Sequence, residues 1–322
     1  MRIFVAGATG AVGRALIPAL LSAGHDVTGM TRSPEKADTI RRTGAEPVVA
    51  DGLNARAVRA AVIAARPDVV IDEMTDLAGV TDLRHFDRAF ANTNRLRTDG
   101  TDHLLAAARE AGAKRFIAQS FCGWVVSREG DAVRTEADEF DTNPPRELER
   151  TFDALRYLEQ IVTASVEPEG IVLRYGSLYG PGTGMLSRVM VEELRNRRVP
   201  LIGDGAGWWS FVHVDDAASA AVVAIERGAA GNIYNIVDDD PAQVSDWLPA
   251  LVKVLGAKPP HHVPAWIARF LAGEHLVVMM TQVKAASNVK ARQELGWQPV
   301  HPSWRQGFAD AARLPVDRRI AA

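Results

Sequence analysis

A glycine-rich turn near the start of the chain constrains the fold more than any other feature; it reads Gly7-Ala8-Thr9-Gly10-Ala11-Val12-Gly13. The turn follows an apolar segment at 3–6 and precedes a segment of helical periodicity at 11–23. In such a unit the first glycine permits the tight turn, the second lets the backbone approach phosphates, and the third lets helix and strand pack closely. The helix N-terminus adds unpaired N–H donors. The sequence therefore predicts a binding site for the pyrophosphate of a dinucleotide.

Strand-like and helix-like segments alternate from this turn as far as Tyr175. The strand-like segments are short, apolar and separated by helices, which is typical of a parallel sheet covered on both faces. We therefore predict an α/β fold built on a Rossmann-type doubly wound parallel sheet. The further strands are predicted at 25–30, 46–50, 68–71, 115–119 and 170–174, and the further helices at 34–43, 55–65, 94–111 and 147–166.

The composition of the chain changes after Tyr175. Glycine and proline become frequent there, notably at 180–184, 203–207 and 241–264. Such residues interrupt regular structure and indicate a looser, smaller unit. We expect an NAD(P)-binding Rossmann domain at 1–178, to which 211–238 returns. Residues 179–322 are expected to form mainly a smaller substrate-binding unit.

Charge and cysteine content exclude several partner classes. A net charge of -3, from 37 basic and 40 acidic residues, provides no field that would attract nucleic acid or an anionic membrane. Cys122 is the single cysteine, so no internal disulfide can form, and no Cys/His grouping has zinc spacing. No apolar run approaches the ~18 residues needed to span a bilayer, and the N-terminus does not resemble a signal peptide. We expect a cytoplasmic protein with no metal, no nucleic acid and no membrane partner.

Three further stretches carry a recognisable pattern. They are Leu173-Arg174-Tyr175 followed by Tyr179-Gly180-Pro181-Gly182, then Phe211-Val212-His213-Val214-Asp215-Asp216-Ala217, and finally Asn288 to Pro299. With the glycine turn, they resemble the extended, epimerase/dehydratase-like branch of the short-chain dehydrogenase/reductase superfamily, from about residue 2 to about residue 307. The resemblance implies a small-molecule substrate and a homodimer formed through the segments 94–111 and 147–166.

The resemblance also implies which residues contact the cofactor. An acidic residue after the second strand would bond the ribose hydroxyls of NAD, but Arg32 stands there, and a guanidinium suits the 2′-phosphate of NADP. We therefore expect NADP rather than NAD; the alternative is that Arg32 is an ordinary surface arginine. The predicted cofactor-binding residues are Gly7, Thr9, Gly10, Ala11, Val12, Gly13, Arg32, Asp51, Gly52, Leu77, Ala78, Gly79 and Tyr175.

The chain departs from the family where the catalytic groups should be. The family uses a tyrosine four residues before a lysine, with a serine at the preceding strand end. Aligned on Leu158-Glu159-Gln160, those helix positions hold Thr151 and Leu155, and a shift by one gives Phe152 and Arg156. The usual pair is therefore predicted to be absent. Hydroxyls that could reach the site are Ser120, Tyr175, Ser177 and Tyr179, each of which could equally serve packing or a turn.

The second unit gives a hint about the substrate. Related enzymes of nucleotide sugars often hold the diphosphate with an arginine where this chain has Trp208 and Trp209, which implies a flatter, less anionic ligand. We predict an NADP-binding reductase, epimerase or dehydratase-like enzyme acting on a small aromatic or apolar molecule. Two alternatives remain open: a non-redox cyclase or isomerase that keeps the dinucleotide as a scaffold, and a non-enzymatic NADP-sensing module.

Overall fold

A seven-stranded parallel sheet of order β12-β7-β5-β4-β1-β2-β3 forms the centre of the computed structural model, which describes residues 1–77 and 85–313. In chain order the strands are β1 (Arg2–Ala6), β2 (Asp26–Thr31), β3 (Glu46–Val49), β4 (Val69–Asp72), β5 (Arg115–Phe121), β6 (Val133–Arg134), β7 (Glu169–Tyr175), β8 (Ser177–Tyr179), β9 (Leu201–Ile202), β10 (Trp208–Trp209), β11 (Phe211–His213), β12 (Ile233–Ile236), β13 (Ala242–Gln243), β14 (His262–Val263) and β15 (Ala285–Ala286).

Helices cover both faces of the sheet, because side chains alternate between the faces and both sets are apolar. One face, with Ile3, Val5 and Ile71, packs under α1 and α8; the other, with Phe4 and Val70, packs under α3, α5 and α6. The helices are α1 (Ala11–Ser22), α2 (Pro34–Thr43), α3 (Ala55–Ala65), α4 (Phe86–Arg95), α5 (Thr101–Glu110), α6 (Glu149–Thr163), α7 (Arg188–Arg195), α8 (Val214–Arg227), α9 (Val244–Val254), α10 (Ala265–Ala272), α11 (Glu274–Thr281) and α12 (Trp304–Arg313). Each fully buried Val, Leu or Ile side chain contributes about 1.5–3 kcal/mol to such a core.

A second apolar core lies in the C-terminal part of the chain. There the short strand pairs β8–β11, β9–β14 and β10–β13 combine with α7, α9 and α12 around Phe211, Trp247 and Trp304. Within 211–238, α8 packs on α1 and β12 pairs with β7 in the main sheet. The boundary at 178 remains a prediction. None of the helices in the described residues is long and apolar enough to cross a bilayer.

The predicted fold class is confirmed, but the helix expected at 94–111 is wrong in its bounds. The helical segment begins at Phe86 as α4, passes through a π-helical turn at Leu96–Gly100, and continues as α5 to Glu110. The expectation missed the start of α4, because six of its ten residues are polar and the buried Phe86 and Phe90 give only a weak apolar signal. The helix expected at 147–166 is shorter, with a 3₁₀ turn at Arg146–Leu148 before α6.

Candidate functional site

The sheet has a topological switch point between β1 and β4. From β1 the chain continues to β2 and β3 on one side, and β4 pairs with β1 on the other side. In open α/β sheets, ligands bind in the crevice beyond the carboxyl ends of the strands at such a point. Gly7 follows β1 and Glu73 follows β4, so these two residues border the crevice.

The glycine turn has the geometry of a phosphate-binding loop. Gly7 has a φ of +84°, and a Cβ there would lie 2.4 Å from the carbonyl oxygen of Glu73. A Cβ on Gly13 would lie 2.3 Å from the carbonyl oxygen of Gly7, so α1 can meet the turn only without a side chain there. Gly10 is exposed, and its Cβ would meet only the Gly7 carbonyl oxygen, at 3.2 Å. The first-turn amides of Ala11, Val12 and Gly13 have no acceptor within the helix, and the loop fits a pyrophosphate.

Arg32 follows β2, at the end of the crevice where the adenosine of the cofactor is predicted to bind. Its side chain is 57% exposed, and Nη2 donates to Asp76 Oδ1 at 2.6 Å. This hydrogen bond raises the pKa of Arg32 and holds the pKa of Asp76 below its usual range, while Asp51 adds a second negative charge near the guanidinium. Arg32 is therefore flanked by two acids. Thr9 lies beside this end, with its Oγ1 3.3 Å from Thr31 Oγ1.

Three of the remaining predicted cofactor residues, Asp51, Gly52 and Leu77, lie within the described residues. Asp51 is exposed, and its Oδ1 accepts a hydrogen bond from the Leu53 amide at 3.0 Å. Gly52 is buried, and a Cβ there would lie 2.5 Å from the sulfur of Met74. Leu77 is half-buried against an aromatic cluster described below. Ala78 and Gly79 lie outside the described residues.

A buried acid and a buried phenol meet beneath the switch point. Tyr175, the last residue of β7, donates a hydrogen bond from its hydroxyl to Glu73 Oε1 at 2.9 Å. Both side chains are almost fully buried, and Glu73 Oε2 has no hydrogen-bond partner among the described residues. Burial raises the pKa of Glu73 to about 8, and burial beside Glu73 raises the pKa of Tyr175 well above its ordinary value. The hydrogen of the Tyr175 hydroxyl is therefore engaged in a hydrogen bond to Glu73.

Ser120 points to the opposite face of the sheet. It is 1% exposed, and its hydroxyl donates to Glu159 Oε1 at 2.6 Å. The same carboxylate accepts two hydrogen bonds from Arg174, at 2.8 and 2.6 Å. Burial lowers the pKa of the neighbouring Arg97 to about 10, although the charge of Glu159 opposes that shift. The Ser120 hydroxyl therefore belongs to an interior ion cluster between β5, β7 and α6.

The two other predicted hydroxyls lie beyond the end of β7. Ser177 is half-buried in β8, and its amide donates to the Ser210 carbonyl at 2.8 Å. Tyr179 is fully buried among His213 and Phe308, and its hydroxyl has no hydrogen-bond partner within 1–77 and 85–313. Burial raises the pKa of Tyr179 above its ordinary value. Roles for Ser120, Tyr175, Ser177 and Tyr179 in proton transfer remain predictions.

The helix positions aligned with the family pair are closed to solvent. Thr151 and Leu155 are both 0% exposed in α6. Thr151 Oγ1 accepts a hydrogen bond from Asn94 Nδ2 at 3.0 Å, which links α6 to α4. Leu155 packs in an apolar cluster with Phe152. These positions serve helix packing in this structure.

An aromatic cluster occupies the space beyond the carboxyl end of β5; its members are Phe86, Phe90, Phe121, Trp124, Phe140 and Phe152. Phe86 and Phe90 stack at 4.0 Å between ring centroids. The Trp124 ring lies 5.0 Å from Phe121 and 6.0 Å from Phe152, and it is half-buried. Trp209, by contrast, donates from Nε1 to the Met279 carbonyl and packs on Trp247 in the second core. Phe86, Phe90 and Phe152 are buried in the cluster, whereas Phe121, Trp124 and Phe140 are half-buried, so only part of its apolar surface is accessible.

Sequence reasoning missed two components of this site. Glu73 was not predicted, although two consecutive acids, Asp72 and Glu73, at the carboxyl end of the apolar strand β4 mark an edge where ligands bind. The aromatic cluster was not predicted. Phe86, Phe90 and Phe140 come from segments distant in sequence, and no local pattern places them together.

Comparison with known proteins identifies relatives of the whole chain. The model of the NAD dependent epimerase/dehydratase family matches residues 3–237. A 3-diazoavenalumate denitrifying reductase from a Streptomyces species is 43% identical over 314 residues, which cover 96% of this chain and 99% of the relative. A 4-hydroxy-2-methyl-3-oxo-4-farnesyl-3,4-dihydroquinoline-1-oxide ketoreductase from Stigmatella aurantiaca is 26% identical, with 92% of each chain covered.

Solved structures share the fold at lower sequence identity. The structure of Thermus thermophilus UDP-glucose 4-epimerase in complex with NAD superimposes with a TM-score of 0.73 at 20% identity, covering 99% of both chains. This likeness extends over the sheet and the C-terminal elements together. Sequence identity at this level shows a shared fold and nothing beyond it.

Proposed function

The chain belongs to the NAD dependent epimerase/dehydratase family, and from that premise we propose that it is a reductase that transfers hydride to a small aromatic substrate without a proton donor. The family and the 43% identical reductase make it an NAD(P)-dependent oxidoreductase-like enzyme. The observation that carries the finer proposal is that the family positions at Thr151 and Leu155 are fully buried and hold no ionisable group, with the aromatic cluster beside them.

The cofactor would be held by the residues of the switch point. The backbone of the glycine turn and the first turn of α1 would bind the pyrophosphate, and Arg32 would face the adenosine ribose. A bound reduced nicotinamide supplies a hydride. The relatives bound to NAD support a nicotinamide dinucleotide, and the exposed guanidinium supports a preference for NADP.

The chemistry of the substrate decides whether a proton donor is needed. Reduction of a ketone leaves an alkoxide. A buried oxyanion that has no proton or hydrogen-bond donor beside it costs several kcal/mol. At an aromatic carbon carrying a diazonium group, hydride forms one C–H bond, the C–N bond breaks, and N₂ leaves with the electron pair of that bond. No oxyanion develops, and no proton has to be delivered.

We therefore infer an aromatic diazo compound as the substrate class. The denitrifying action named for the 43% identical relative supports this inference, and so do the flat surfaces of Phe121 and Trp124 beyond β5. Rings of this kind favour an offset-stacked or edge-on aromatic ligand. Tyr175, Ser177 and Tyr179 would donate protons only if the substrate were a ketone.

The test uses NADPH carrying deuterium at both C4 positions and a carboxylated arenediazonium salt. We expect loss of NADPH absorbance, release of N₂ and appearance of deuterated arene in a 1:1:1 ratio. Thr151→Val is expected to leave kcat within about twofold, because a buried threonine hydroxyl bonded to Asn94 is a feeble acid.

Background reaction between the diazonium salt and NADPH is measured with the Gly10→Val variant, in which the cofactor site is blocked. Turnover without any loss of NADPH would instead support the non-redox alternative. Arene formation without deuterium from the cofactor, or a large fall in kcat in Thr151→Val, would contradict the mechanism.

The NADP preference gives a separate prediction at Arg32. Wild-type protein is expected to bind NADPH at least tenfold more tightly than NADH, or ~1.4 kcal/mol, because the guanidinium can pair with the 2′-phosphate. Arg32→Ala should remove most of that difference, and Asp76→Asn should enlarge it by freeing Arg32 from its ion pair. Fluorescence titrations of the three proteins measure both affinities. Equal affinities in the wild type would show that Arg32 is an ordinary surface arginine.

We further propose a cytoplasmic homodimer that uses α5 and α6 as its interface. Tyr157 on α6 is exposed and donates a hydrogen bond to Asp102 on α5 at 2.8 Å, so the two helices present one continuous outer surface. The single cysteine supports a reducing compartment. Light scattering of the purified protein measures the mass directly.

A further inference from the structure

The Glu73 backbone contacts the turn that is proposed to hold the phosphates. A Cβ built on Gly7 would lie 2.4 Å from the Glu73 carbonyl oxygen, so the two backbones are packed against each other. Glu73 follows β4 and Gly7 follows β1, and the switch point lies between those strands. The backbone of Glu73 therefore lies beside the turn, while its carboxyl points to Tyr175 on β7. A charge on that carboxyl would act on an anion at the α1 N-terminus through the protein interior, where charges are poorly screened.

The surroundings of Glu73 favour a protonated carboxyl. The residue is 4% exposed, its Oε1 accepts one hydrogen bond from Tyr175, and its Oε2 has no partner in the described part of the chain. An ionised carboxylate offers about four lone-pair sites, and leaving most of them unpaired in the interior is costly. A protonated, neutral carboxyl loses less free energy when its hydrogen-bonding sites stay unpaired in the interior.

No basic group in the described part of the chain lowers the pKa of Glu73 by its charge. Burial raises the pKa of Glu73 to about 8; the hydrogen bond from Tyr175 on β7 opposes this shift, and the neighbouring Asp72 adds to it. Asp72 faces the other side of the sheet, where its carboxylate accepts from the Met74 amide and the Thr101 hydroxyl. On α1, Arg14 directs its guanidinium to the Gly182 carbonyl at 3.5 Å. The pKa of Glu73 therefore lies within the range where an enzyme is assayed.

We propose that Glu73 is a positioning residue whose carboxyl must carry a proton for the dinucleotide pyrophosphate to bind at the α1 N-terminus. The proposal rests on the proposed dinucleotide function. A pyrophosphate carries two negative charges, and a third at Glu73 would repel it through a poorly screened medium. By linkage, a dinucleotide that binds only the protonated form raises the proton affinity of Glu73 by the same factor. Binding at alkaline pH would then take up a proton.

The first test measures affinity against pH from 6.5 to 9.5, with whichever of NADPH and NADH binds more tightly. Wild-type affinity is expected to change little up to about pH 7.5 and to fall nearly tenfold per unit once Glu73 ionises, above about pH 8. Glu73→Gln mimics the protonated carboxyl, so its affinity should not vary over this range.

The outcomes separate this inference from the proposed function. A wild-type affinity that stays constant to pH 9.5, or a parallel fall in Glu73→Gln, would overturn the role of Glu73 while leaving dinucleotide binding intact. Failure of the wild type to bind either dinucleotide at any pH would instead overturn the proposed function.

A second test needs no Glu73 variant and so survives a folding failure of Glu73→Gln. Calorimetry of wild-type binding at pH 8 in two buffers of different ionisation enthalpy should show uptake of a fraction of a proton per dinucleotide. Tyr175→Phe removes a hydrogen bond that lowers the pKa of Glu73, so the pH at which affinity begins to fall should move upward. Absence of proton uptake, or a shift to lower pH in Tyr175→Phe, would contradict the proposal.

Discussion

Gly10→Val is expected to weaken dinucleotide binding by more than about 100-fold, or ~2.8 kcal/mol, while the protein remains folded. Gly10 has a φ of -71°, which any residue adopts, and among the described residues a Cβ there would have the Gly7 carbonyl oxygen at 3.2 Å as its sole close neighbour. The two methyl groups of valine would extend into the open side of the turn, where a pyrophosphate must approach the α1 amides. Fluorescence titration with NADPH measures the affinity, and circular dichroism measures the fold.

Gly184→Val provides the matched control. Gly184 also lies outside the left-handed region, and a Cβ there would have no described atom within 4 Å. This variant should bind the dinucleotide as the wild type does. A folded Gly10→Val protein with undiminished affinity would mean that the glycine turn has another role.

The sheet and the glycine turn were predictable because their signals are local. Short apolar segments bounded by helices report strands that are buried on both faces, and the three glycines report a turn that excludes side chains. The family resemblance, carried by widely separated stretches, is confirmed by the match over residues 3–237. The start of the helical segment at Phe86 could not be placed, because α4 is mainly polar and its buried phenylalanines give a weak apolar signal.

The face on which a strand residue lies could be inferred only in part. Alternation along β5 sets Ser120 with Ala118 on one face and Phe121 with Ile117 on the other. Sequence alone does not say which face borders the site. The structure directs Ser120 to Glu159 in the interior and brings Phe121 against Trp124. Cofactor contacts at Gly7, Thr9, Arg32 and Asp51 remain predictions for binding experiments.

Glu159→Gln is expected to destabilise the protein by about 3–5 kcal/mol, because it removes one partner of a buried ion pair. The Glu159 carboxylate accepts from Ser120 and doubly from Arg174, and it is the acid that opposes the loss of charge on buried Arg97. Glutamine keeps the shape but leaves both guanidiniums without this negative charge. Denaturant-induced unfolding followed by circular dichroism measures the free energy of unfolding.

Glu192→Gln breaks an ion pair of the same chemistry on the surface, where Glu192 accepts from Arg188 at 3.0 Å and both side chains are more than half exposed. Such exposed pairs contribute less than about 1 kcal/mol, so this variant should unfold close to the wild type. If Glu159→Gln lost no more stability than Glu192→Gln, the interior cluster would not be the constraint that fixes α6 on the sheet. A large difference between the two variants would mean that the same cluster that occupies Ser120 also anchors the helix carrying Thr151 and Leu155. The aromatic cluster would then rest on a rigid helix, as a site for a flat substrate requires.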